Sequence, residues 1–187
     1  NQDVRDSESL MALTLISTHT ASASATLDIT SGIDSTYDSY EFHFVNMHPA
    51  AWGIYSFQVN ASGQTGFNEV MTTTNFTAYH KEDDSAAVLT YLVASDQAQG
   101  TAYQRLTDNV GNENDQSVSG ILTLYAPSST TYVKHFTSRL NTHHISAYSF
   151  DSYIAGYINT TAAIDEISFK FSSGNIDDGT IKMFGVS

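Results

Sequence analysis

The stretch Ile164-Asp-Glu-Ile-Ser-Phe-Lys-Phe-Ser-Ser-Gly-Asn-Ile-Asp-Asp-Gly-Thr-Ile-Lys-Met-Phe-Gly-Val-Ser187 decides the fold class of this chain. Ile167, Phe169 and Phe171 fall on one parity and Glu166, Ser168 and Lys170 on the other. A period of two marks a strand with one buried face. Beyond the turn residues of segment 172–179, Ile181 and Met183 resume the pattern on one face. Two strands joined by a turn are expected here, as a β-hairpin closing a β-sandwich.

Working outward, the same alternation recurs. Leu13 to Thr20 reads as a strand, and Leu27 and Ile29 alternate with Thr26, Asp28 and Thr30. Tyr40, Phe42 and Phe44 follow, then Tyr55, Phe57 and Val59, then Phe67 to Tyr79 with its β-branched threonines. Ser117 to Tyr125, Thr131 to Leu140 and Ser149 to Ile158 complete the set with the C-terminal pair. Residues 82–105 lack a clear period and read as a long excursion with one helical turn. About ten short strands separated by Ser, Thr, Asn, Asp and Gly predict an all-β chain, an antiparallel β-sandwich of jelly-roll type.

The 187 residues suffice for one domain, expected over 11–187, with 1–10 as a polar arm or processed leader. That start lacks the basic and apolar regions of a signal peptide, and no run approaches the ~20 apolar residues that span a bilayer. No membrane insertion is expected. With 7 Lys and Arg against 20 Asp and Glu, for a net charge of −13, the chain cannot build a surface that tracks phosphates, which excludes nucleic acid as a partner. Zero cysteines exclude disulfides and thiolate metal sites.

Candidate chemistry is sparse. His143 and His144 would point to opposite faces of a strand, so the pair cannot ligate one ion there. Asp108, Asn112, Asn114 and Asp115 place oxygen ligands around Gly111, the donor type that calcium takes. Glu82, Asp83 and Asp84 form a similar but weaker set, and no other cofactor is expected. No Gly-x-Ser-x-Gly elbow, zinc-protease helix, P-loop or dinucleotide fingerprint occurs, and no enzyme is expected. For binding, Tyr153 and Tyr157 share a parity with Asp151, and Trp52 is the single tryptophan. A sugar ring stacks on an exposed aromatic face with an acid beside it, which makes Trp52, Tyr153 and Tyr157 candidate carbohydrate ligands. The alternative role of the tyrosines is burial of their rings at a subunit or strand-to-strand contact, with the hydroxyl left in water.

The segments Leu15-Ile-Ser-Thr-His-Thr-Ala-Ser-Ala-Ser24, Ser31-Gly-Ile-Asp-Ser-Thr-Tyr-Asp-Ser-Tyr40, Asn114-Asp-Gln-Ser-Val-Ser-Gly120 and Pro127-Ser-Ser-Thr-Thr-Tyr-Val-Lys-His-Phe136, with the C-terminal pair, resemble a family of virion structural proteins of marine tailed bacteriophages. The resemblance covers nearly everything from Met11 onward and carries no catalytic or ligand residues with it. It implies a non-enzymatic protein on the outer surface of the virion. The expected partners are a second copy of the chain, with a homotrimer as the leading form, and other virion proteins such as the major capsid protein or tail proteins. One domain after a polar arm suits a capsid decoration or capsid-associated protein. The alternative is a tail-fibre or appendage tip that binds host-surface glycans.

Overall fold

The computed structural model describes residues 13–187, so the expected arm and the start of the domain at Met11 lie outside the described residues. Twelve strands are present among them: β1 (Leu13–Thr20), β2 (Leu27–Ile29), β3 (Ser39–Pro49), β4 (Gly53–Ala61), β5 (Met71–Lys81), β6 (Ala87–Tyr91), β7 (Gln104–Val110), β8 (Val118–Tyr125), β9 (Lys134–His144), β10 (Tyr148–Ile158), β11 (Ile164–Phe171) and β12 (Ile176–Val186). A single 3₁₀ turn, Val93–Ser95, separates β6 from β7.

All pairings are antiparallel. β12 lies between β1 and β3, and β8 follows β3; β11 lies between β2 and β4, and β7 follows β4. The orders β1-β12-β3-β8 and β2-β11-β4-β7 are the two four-stranded sheets of a jelly roll. The expected sandwich is therefore the observed one. Two insertions enlarge it, β5–β6 between β4 and β7 and β9–β10 between β8 and β11. They continue the first sheet outward in the order β8-β9-β10-β5-β6, a wing beside the jelly roll. The two sheets join at one corner, where Val110 pairs with His144.

The C-terminal pair is not a hairpin. β11 bonds to β4 and β2, whereas β12 bonds to β3 and β1, and the turn at 172–175 carries the chain from one sheet to the other. The reason lies in the side chains: Ile167, Phe169, Ile181 and Met183 are all fully buried, and the interior of a sandwich takes them from two facing sheets. Near the start of β12, Gly179 sits at an irregularity of the ladder with φ +121°, and a Cβ there would meet the Asn46 carbonyl oxygen at 2.7 Å. Only glycine lets the bulged strand press so close to β3.

Aromatic rings from both layers fill the core. Phe44 meets Tyr55 edge-on at 5.3 Å between centroids and Phe169 at 5.1 Å, and Phe57 meets Phe136 at 5.0 Å. Burying each such side chain contributes on the order of 2 kcal/mol.

The sequence missed β6 and β7, which fall in or beside the 82–105 excursion; the expected helical turn is the one at Val93–Ser95. β6 is exposed on both faces and so shows no alternation. β7 turns Gln104 and Thr107 inward beside Leu106, which hides its buried face among polar residues. The strand expected from Phe67 begins at Met71, because Phe67 itself takes a left-handed backbone with φ 47°.

Candidate functional site

The wing presents one solvent-facing surface built from alternate residues of β8, β9, β10, β5 and β6. Register places Ile121, Arg139, Tyr153, Phe76 and Tyr91 side by side across the five strands. The neighbouring cross-strand row is Thr123, Thr137, Ala155 and Thr74, and beyond it stand His135, Tyr157 and Thr72. Small residues between two taller rows leave a trough across the strands. Its larger section encloses ≈ 390 Å³ against Phe76, Ile121, Arg139 and Tyr153. A second section of ≈ 330 Å³ runs against His135 and Tyr157 and shares Thr74, Thr137 and Ala155 with the first.

One wall is a stack. The Phe76 and Tyr153 rings lie parallel, 4.7 Å between centroids and 3° between planes. The Arg139 guanidinium covers the other face of Tyr153 at 4.9 Å. Arg139 grips Asp151 through Nη2 at 2.8 Å and Nε at 3.2 Å, and the Tyr153 hydroxyl donates to the same carboxylate at 3.0 Å. The Asp151 partner holds the Tyr153 hydroxyl above its usual pKa, so it remains a donor at neutral pH. These contacts hold the Arg139 and Tyr153 side chains in place against Asp151. The wall offers apolar ring edges beside a neutralised Arg–Asp pair.

Of the three aromatic candidates, Tyr153 and Tyr157 line the two sections of this one trough. Trp52 does not join them: it stands half exposed in the β3–β4 turn. Phe76 and Arg139 are the partners that sequence reading missed. Phe76 had a signal, an aromatic on the outward parity of a strand that carries Thr72, Thr74, Ala78 and His80 there, but nothing local tells which residue of β10 it faces.

The calcium candidates are divided. Asp108 lies on β7, with its Oδ2 3.7 Å from the His144 Nε2, and that ring holds the carboxyl below the usual range. Asn114 and Asp115 line a separate polar cleft of ≈ 510 Å³ with Asn46, His48, Asp177 and Asp178, and Asn112 lies in the loop between. Among the described residues, no group of three or more His, Asp or Glu is arranged to hold a metal ion. His143 and His144 do point apart: His143 lies 3.4 Å from Glu82, while His144 is buried against Tyr148, with rings 4.0 Å apart. Ser168 contacts Asp28 at 2.5 Å and Tyr103 at 2.9 Å, but it is fully buried and out of reach of any substrate.

Compared with protein-family models, with curated proteins and with solved structures, the chain matches none.

Proposed function

We propose that this chain is a non-enzymatic structural protein of the exterior of a tailed-phage particle, and that it acts as an attachment module binding carbohydrate in the wing trough. The particle location follows from the sequence resemblance, with which a cysteine-free, acidic jelly roll is consistent. The observation that carries the binding role is the open trough itself, with a pre-stacked Phe76–Tyr153 wall beside the Arg139–Asp151 pair. With Phe76 and Arg139 covering the faces of Tyr153, a hexose meets this wall by apolar contact with the ring edges, and the fixed guanidinium–carboxylate pair exchanges hydrogen bonds with its hydroxyls. Capsid decoration, the role expected first, asks only for self-association and docking and leaves the trough without a use.

Titrating ¹⁵N-labelled protein with a panel of neutral hexose oligosaccharides tests the reading. Shifts should centre on Thr137, Ala155 and Tyr153, and F76A and Y153A should weaken binding at least about tenfold, F76A with little change in thermal midpoint because Phe76 is exposed. Shifts centred on Trp52, or none with any sugar, would remove the carbohydrate role. Antibody labelling of intact particles tests location separately.

A further inference from the structure

The described sheets end in β1, β2 and β6. Free edges invite pairing with another chain, and proteins blunt them with charge, proline, irregularity or shortness. β1 carries a register break between Leu15 and Ser17. β2 is three residues long and carries Asp28. β6 has only its five-residue length: from Ser85 to Ser95 there is no charged residue, no histidine, no proline and no glycine. The interval is bounded on both sides by acids, Glu82, Asp83 and Asp84 before it and Asp96 after it. Leu89 is 73% exposed and Tyr91 49%.

The ladder fixes which backbone groups are free. Lys81 donates to the Ala86 carbonyl and Leu92 to that of Asn75. Antiparallel pairs alternate, so Val88 and Thr90 bond to β5, while Ala87, Leu89 and Tyr91 turn their N–H and C=O groups to the open edge. The Tyr91 carbonyl takes only the Thr90 hydroxyl, at 3.3 Å. The side chains of those same residues lie on the trough face, in register with His80, Ala78 and Phe76.

We infer that β6 pairs with β6 of a second copy, antiparallel, about a twofold axis at Leu89. Leu89 then exchanges both backbone hydrogen bonds with its symmetry mate, Ala87 pairs with the mate's Tyr91 and Tyr91 with the mate's Ala87. The acids nearest the contact are Asp96, whose carboxylate accepts from the Tyr91 hydroxyl at 2.6 Å, and Glu82, Asp83 and Asp84 in the turn before β6. A second copy is the occupant that the backbone selects: the free groups of Ala87, Leu89 and Tyr91 are disposed symmetrically about Leu89, and such an antiparallel edge is complementary to itself under a twofold axis. The wing's outer face continues across the junction into that of the mate, joining two trough-bearing surfaces in one particle. A twofold contact replaces the threefold one expected from the sequence. The inference stands apart from the carbohydrate reading; its test is made in free solution, where a negative result leaves the particle location and the sugar titration untouched.

Sedimentation of the full chain should move from monomer, 20.4 kDa, toward dimer with a dissociation constant on the order of 10 µM, as suits a small contact. L89K and L89E each place like charges directly opposite on the axis and should each be monomeric at about 100 µM, with unchanged thermal midpoints because Leu89 is exposed. Mixing the two variants should restore the dimer, since the introduced charges are then opposite in sign. In the unaltered chain, hydrogen exchange at the Ala87, Leu89 and Tyr91 amides should slow as concentration rises, while Val88 and Thr90 stay constant; this readout stands even if a variant folds poorly. A chain that stays monomeric, association that survives both variants, or singly lost association that mixing does not restore would each overturn the twofold edge.

Discussion

Tyr55 packs its ring among Phe44, Phe169 and Phe171 in the centre of the sandwich, yet its hydroxyl is fully buried with no hydrogen-bond partner among the described residues. Removing a hydroxyl from water without a partner costs about 1–3 kcal/mol. Y55F keeps the ring and deletes the cost, so urea denaturation should show a gain of about 1 kcal/mol; a loss would mean that the hydroxyl is paired in solution. Burial also pushes this hydroxyl well above its usual pKa. The folded state thus binds the proton more tightly than the unfolded one. The associated stability is intact below about pH 10 and falls as pH rises past that value. The same substitution should abolish that part of the alkaline loss.

At the scale of elements, the wing differs from the jelly roll in what it buries. β5 turns Thr73, Asn75 and Thr77 inward, and β10 adds Ser152 opposite Thr77. Both amide atoms of Asn75 and the hydroxyls of Thr77, Thr142 and Ser152 lack partners among the described residues. A layer of this kind gains less from burial than the aromatic core and opens first. In dilute protein, amides of Asn75, Thr77 and Ser152 should exchange roughly 10- to 100-fold faster than those of Phe42, Phe44, Ile181 and Met183. Uniform protection across the two regions would refute a separately opening wing. The same inversion explains what the sequence disclosed. β3, β4, β11 and β12 alternate apolar and polar residues in sequence, so their strands and the sandwich were legible, even though in β4 the polar Ser56, Gln58 and Asn60 are buried on the other face. In β5 and β7 polar residues face inward, and in β6 neither face is buried, so type and boundaries blurred there. The parity of Tyr153 and Tyr157 was readable from β10 alone. Their meeting with Phe76 and Arg139 depends on registers between strands far apart in sequence, which no local pattern encodes, and the false hairpin arose in the same way.

For the whole molecule, charge opposes every association. Each copy carries −13, so two copies repel at any contact, and the acids flanking β6 sit nearest to the proposed junction. Hydrogen bonds from Ser85 hold Asp83 below the usual carboxylate range, which keeps this turn charged even in mildly acidic buffer. Salt shortens the reach of such repulsion from about 10 Å at 0.1 M to about 3 Å at 1 M. The attraction across β6 comes from uncharged backbone groups and from Leu89 and Tyr91, which salt does not screen. Raising sodium chloride from roughly 0.05 M to 0.5 M should therefore tighten self-association several-fold, read as a fall in the dissociation constant by sedimentation. A contact built on ion pairs would respond with the opposite sign. Weakening with salt would thus point away from the uncharged edge and toward a face where the few cations, such as Lys182 or Arg139, meet the partner's acids.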